Sequence, residues 1–221
     1  MILLKSKVCN LNLSLSFLVT ALVFLLTGCA TPKNYDRFRA ANPRSILVLP
    51  PKNQSTDIRG TYSFLSTVTM PIAEKGFYIF PVAVVDHMMK ENGLPSANEM
   101  HEVSLKKIKE ILNPDAVLYL TREQYGTKFV VIQSQTTVIA SGKLVSTASG
   151  QVLWEGKIVK TVASSNNGGG IGGLILGAIV SQAVNSSVDY AHDVSIIASH
   201  ELFTTEGQGL LNGPYMRDVK R

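Results

Sequence analysis

Four histidines, His87, His101, His192 and His200, are the side chains of this 221-residue chain best suited to proton transfer or metal binding near neutral pH. Their spacing matches no zinc pattern, since His200-Glu201 lacks the second histidine four residues on that an HExxH helix supplies. Asp189 and His192 stand three residues apart and could share one helix face, as an acid–base pair or two metal ligands would. Two residues at that spacing specify little, and the pair reads as a solvated polar face. No GxSxG nucleophile elbow is present. Gly168, Gly170 and Gly173 formally fit GxGxxG, with Asp193 near the acidic position of the dinucleotide fingerprint. That fingerprint needs a tight strand-to-helix turn inside a βαβ unit. Here a polar Ser-Ser-Asn-Asn insert precedes the glycines and no strand pattern follows, so a dinucleotide site is rejected. A Walker loop fails because no Gly-Lys-Ser/Thr follows. The expectation is a protein that is not an enzyme, with no cofactor and no metal.

The same glycines suit contact better. Gly169, Gly173, Gly177 and Ser181 recur every fourth residue. On a helix they make one small-residue face that admits a close second backbone. No charged residue occurs from 161 to 188, and 171–184 is strongly apolar. Three roles are open to residues 169–184: a buried helix under a sheet, a contact between protomers, or contact with a membrane. As a helix the run is short for a full span, which takes roughly 20 apolar residues. The small-residue face also predicts a homodimer.

One thiol has a defined chemistry. Residues 1–28 contain Lys5 and Lys7, no acid, and an apolar run over about 11–26, the layout of a secretory signal. Leu26-Thr27-Gly28 then precede Cys29. Small residues before a cysteine resemble the lipobox read by lipoprotein signal peptidase, which cuts before a thiol that has received diacylglycerol. A transmembrane helix is the competing reading, and the apolar run is short for one. Multi-chain acylation gives lasting membrane attachment, where one chain is marginal. Ala30 would be the second mature residue. Asp there commonly retains Gram-negative lipoproteins at the inner membrane, so by that resemblance Ala30 points to the outer membrane.

Removing 28 residues from 221 leaves 193, enough for one well-cored domain. The net charge of +5 falls to near +3 without the two signal lysines. No basic stripe with interleaved aromatics points to nucleic acid. Cys9 leaves with the signal and Cys29 is acylated, so no thiol remains for a disulfide. Residues 29–44 read as lipidated cysteine and polar tether, 45–207 as a single α/β domain, and 208–221 as a loose tail.

Within the domain, 45–49 is a short apolar strand closed by Pro50-Pro51, and 52–60 a loop. Residues 61–75 have helical spacing, which Pro71 should kink or interrupt and Gly76 should end. Strand 77–80, helix 82–91 and helix 99–112 follow, the last stopped by Asn113-Pro114. The period then changes to two: strand 116–122, an alternating strand over 128–146, a turn at 147–151 and a returning strand 152–162 that carries Trp154. A final helix spans roughly 188–204. A βαβα start followed by antiparallel strands predicts an α+β, or mixed α/β, sandwich.

Several stretches together resemble a known group. Residues 46–51 with Asn53 and Ser55 look like the "VLPF-x-N-x-S" first strand of TolB N-terminal and CsgG-like periplasmic domains. Gly76-Phe77-Tyr78-Ile79-Phe80-Pro81 is similar to their second strand, and Asp115-Ala116-Val117-Leu118 to their "ADAVL" strand. Residues 142–156 are similar to their "LVDxxTGxxLWxG" hairpin, with Ser146-Thr147-Ala148-Ser149 departing from the usual Asp and Thr-Gly. The match covers most of 45–162. Overall the chain resembles a family of proteobacterial lipoproteins of the meningococcal surface-antigen type. The resemblance implies a TolB-like fold with helices on a mixed sheet, an envelope setting, and no catalytic residues. The function expected is a non-catalytic outer-membrane assembly or secretion accessory, or a binding module, with a CsgG-like lipoprotein as a candidate partner. The alternative is an oligomeric pore component that uses residues 168–184.

Overall fold

Ile46, Leu47 and Val48 are buried on both faces of the strand they form, β1 (Ser45–Val48). An unbroken apolar run is what a two-sided parallel strand requires. The computed structural model describes residues 33–55, 60–130, 133–164 and 190–216. The proline pair Pro50-Pro51 lacks the amides a ladder needs, and the chain resumes as β2 (Lys52–Asn53). This short strand takes the first two residues of the stretch expected as a loop over 52–60, of which 56–59 lie outside the described residues. β1 and β2 both run parallel to β4 (Ala116–Val130), pairing Ile46 with Ala116 and Lys52 with Thr121. β3 (Tyr78–Ile79) lies parallel on the other side of β1.

The second half is an antiparallel meander, as its period predicts. β4, β5 (Gln133–Ser146) and β6 (Val152–Ser164) pair in that order, giving β3-β1-β4-β5-β6 with β2 beside β4. β4 runs on past Arg122 to Val130, so 128–130, expected to open the next strand, belong to β4, and β5 covers 133–146. The result is the expected mixed sheet, with six helices among the described residues.

Alternation on β1 divides the core. Ile46 and Val48 face one layer, with α2 (Gly60–Glu74) and α6 (Tyr190–Thr204). Leu47 and Leu49 face the other, with α3 (Val82–Glu91), α4 (Ala97–Glu102) and α5 (Leu105–Leu112). The single helix expected over 99–112 is two. Ser96 makes a capping box with Glu99, and the Ser104 hydroxyl accepts from the Lys107 amide at 3.3 Å. A serine inside an amphipathic run starts a new helix because its side chain satisfies an orphan amide.

Both ends of the domain differ from expectation. The stretch read as tether contains α1 (Asp36–Ala41), and Tyr35 and Phe38 are buried in the core. The stretch read as a loose tail is docked through residue 216. The Trp154 indole donates to Gln208 O at 2.9 Å, and the Tyr35 hydroxyl to Gly209 O at 2.6 Å. Leu210 is buried, and the Gly213 and Tyr215 amides donate to Lys75 O and Gly76 O.

Pro71 does not interrupt α2, which runs through it to Glu74. A proline deprives the carbonyl four residues earlier of its donor. That carbonyl belongs to Thr67, and the buried Ser199 hydroxyl of α6 donates to it at 3.0 Å.

Candidate functional site

A group of part-buried polar side chains surrounds the buried Arg122 among α2, α6, β2 and β4. Ala116, Leu118, Leu120 and Arg122 occupy alternate positions on β4 and face the α2/α6 layer. The ladder then shifts by one residue between Arg122 and Gln124, so Glu123 is extra. A bulge reverses which face the following residues take. Tyr125 therefore joins the same layer as Arg122, and the guanidinium carbon sits 4.4 Å from its ring centroid. In an unbroken strand residues 122 and 125 would face opposite ways.

Arg122 is fully buried. Its Nη2 donates to Asn53 Oδ1, which also accepts from the Ser55 amide at 2.8 Å and the Ser55 hydroxyl at 3.0 Å. Gly60, the first residue of α2, lies against the guanidinium, where an added Cβ would overlap it. Next to this pair, Ser63 Oγ stands 2.6 Å from the Tyr125 hydroxyl and 3.0 Å from His192 Nδ1. A hydroxyl beside an imidazole is the first half of a nucleophile–base arrangement. Ser63 has one proton to share between its two neighbours, and Asp189, the acid that spacing pairs with His192, lies outside the described residues. The arrangement ties α2, β4 and α6 together through polar contacts.

The other histidines are dispersed. His101 on α4 donates from Nε2 to Pro50 O at 2.8 Å and meets the Tyr119 ring edge-on at 5.3 Å. Burial holds its pKa down at about 4, against a smaller upward pull from the Pro50 hydrogen bond. His87 is exposed on α3, and His200 is exposed on α6 beside Thr204. Among the described residues no group of three His, Cys, Asp or Glu could hold a metal ion. Asp86, Lys90 and Tyr62 form a partly exposed cluster in which Lys90 Nζ donates to Asp86 Oδ2 and the Tyr62 hydroxyl. Those bonds raise the Lys90 pKa.

Leu26, Thr27, Gly28, Cys29 and Ala30 lie outside the described residues, as do Gly169, Gly173, Gly177 and Ser181. No helix of the described residues is long and apolar enough to cross a membrane. Sequence reading misses Arg122 and Ser63, and takes Asn53 only as part of a strand signature. A signal for the first is present: an arginine stands in series with Ala116, Leu118 and Leu120, where alternation demands an inward side chain.

Residues 33–215 match the model of the family described as "Putative lipoprotein GNA1162-like". The chain belongs to this family. A relative from Neisseria meningitidis serogroup B, described as "Putative lipoprotein NMB1124/NMB1162", is 38% identical over 199 residues. The alignment covers 88% of this chain and 93% of the relative. The crystal structure of lipoprotein GNA1162 from Neisseria meningitidis is similar at 41% identity and a TM-score of 0.55. It covers 65% of this chain and all of that one. The family name implies a membrane-associated place in the cell envelope, and these relatives bear no enzymatic name. The lipoprotein resemblance drawn from the sequence is thereby shown, and so is the mixed α/β fold.

Proposed function

We propose that this chain is a lipid-anchored outer-membrane protein that works by contact with other envelope components and not by catalysis. The observation that carries this reading is the family match over residues 33–215, preceded by Leu26-Thr27-Gly28-Cys29 at the end of a signal-like run. Cys29 is the acylated residue, and Ala30 next to it routes the protein outward. The polar groups around Arg122 are engaged with one another across α2, β4 and α6, which suits a scaffold that presents surfaces. Metabolic labelling with an alkyne-bearing palmitate tests the anchor. Label should appear on the wild type and vanish in Cys29→Ser, and wild-type protein should sediment with outer membranes while Ala30→Asp moves inward. Label retained by Cys29→Ser, or wild type found with inner membranes, would overturn the reading.

A second reading is favoured by one sequence feature, the uncharged run 161–188 with its four-residue spacing of small residues. Here Gly169, Gly173, Gly177 and Ser181 form a self-contact, giving a dimer or a larger membrane-active assembly. Vesicle leakage and sedimentation distinguish the two. Leakage that disappears in Gly173→Glu and Gly177→Glu supports this second reading, and leakage insensitive to both rejects it.

A further inference from the structure

Between the C-terminal turn of α3 and the α4–α5 pair lies a cavity of about 290 Å³. Its walls are apolar, formed chiefly by Met88, Met89, Leu94, Ile108, Ile111 and Leu112. Met89 and Ile108 are buried in the core beneath, so the floor is fixed by packing on the sheet. Ile111 is 57% exposed, an aliphatic side chain left open to solvent on the wall of a concave space. The polar lining residues are Asn92 and Lys107, both exposed. Asn92 returns its amide nitrogen to Met88 O at 2.7 Å and closes α3. The Lys107 ammonium makes no ion pair or side-chain hydrogen bond among the described residues. α5 carries Lys106, Lys107 and Lys109 against Glu110 alone.

We propose that this cavity binds the acyl chain of a long-chain fatty acid, with the carboxylate meeting Lys107. Its volume sits at the lower end of small-molecule sites, which begin at roughly 300 Å³. A docking helix would need a longer groove for anchors spread over two turns or more. One open cation beside an apolar space matches one anionic head on one apolar chain. The paired methionines supply walls that adapt to chains of different shape. A membrane-associated lipoprotein meets such amphiphiles where it resides.

The test uses membranes that carry the full chain, a photoactivatable diazirine analogue of palmitate, and mass-spectrometric mapping of the labelled peptides. Label should concentrate in residues 88–94 and 105–112. Ile111→Asp should reduce it about tenfold, because a carboxylate in the wall opposes an apolar chain. Lys107→Glu, an exposed change that leaves packing intact, should reduce it about threefold. A diazirine analogue of hexadecylamine should label the same peptides several-fold less. Label spread evenly over the surface, equal label from acid and amine, or label unchanged by both variants would overturn the proposal. Protein–protein cross-links at residues 105–112 that exceed lipid label would also overturn it, since a second copy or a partner helix would then be the occupant.

Discussion

Replacing Ser199 by alanine removes the hydroxyl that serves Thr67 O, the carbonyl stripped of its donor by Pro71 inside α2. Ser199 is fully buried and Thr67 nearly so. A buried acceptor left without a donor costs about 1–3 kcal/mol. Ser199 Oγ also lies 3.0 Å from Ile196 O within its own helix, so its one proton is divided between two acceptors. That division sets the expected cost near the middle of the range, about 2 kcal/mol. Pro71→Ala restores an amide at position 71, which can donate to Thr67 O as in any helix. In that background Ser199→Ala should cost less than about 0.5 kcal/mol, which gives a coupling of about 1.5–2 kcal/mol across the cycle. The assay is urea unfolding followed by Trp154 emission. Trp154 is the only tryptophan and packs on Phe203 of α6 with ring centroids 5.6 Å apart, so it reports on the helix under test. At about 2 kcal/mol per molar urea the single variant should lose roughly 1 M in midpoint. Equal costs of Ser199→Ala with and without Pro71→Ala would refute the reasoning, because the hydroxyl would then not be compensating for the proline.

Three further outcomes are expected. His101 has a folded pKa of about 4 against an ordinary value of 6.5, so the unfolded chain binds more protons between these values. The contribution of His101 to stability is full above pH 6.5, falls as pH drops toward 4, and changes no further below. The gap corresponds to roughly 3 kcal/mol. Partial solvent access reduces this to about 1–2 kcal/mol, and a urea series at pH 7 and pH 4 should show that portion missing in His101→Gln. Asn53→Ala withdraws an acceptor from a buried guanidinium and should cost about 2 kcal/mol by thermal or urea unfolding, but less than half as much in an Arg122→Met background. Gly156→Ala places a methyl group against the Trp154 ring and Leu202 and should cost about 1–3 kcal/mol, with a shift in Trp154 emission that an exposed change such as Gly93→Ala does not produce.

Those outcomes depend on contacts whose legibility in the sequence differs for physical reasons. Local period and turn residues mark most strands and helices: the apolar run before Pro50, the alternation through Val138, Ala140 and Leu144, and the stop at Gly76, which takes φ +84°. Breaks inside a periodic run are harder to read. Ser104 is as compatible with an exposed helix position as with a cap, and only the αL cap at Asn113 follows directly from residue type. The ends mislead because polar composition hides single anchors. Tyr35, Phe38 and Leu210 are isolated apolar residues whose partners can lie far along the chain, as in the Tyr35 bond to Gly209 O.

The polar centre shows where such reading stops. Asn53-x-Ser55, Gly60 and Arg122 each look ordinary alone, and Asn53 and Ser55 enter the family resemblance only as part of a strand signature. The bulge at Arg122–Gln124 gives them a common purpose. It turns Tyr125 inward beside Arg122, while the short β2 brings Asn53 alongside through its pairing with Thr121 and Arg122. The proline pair that ends β1 and the extra residue in β4 are therefore two halves of one device. Each interrupts a ladder, and together they seat a cation beneath the start of α2. A buried arginine is weak evidence for stability, since apolar replacements are often neutral or better. Its place here is close against α2, where an added Cβ at position 60 would overlap the guanidinium. On the same helix Ser63 meets Tyr125 and His192, and Thr67 meets Ser199, so α2 is held on α6 by polar contacts on either side of a charge that stands where the strand pattern alone calls for an apolar residue.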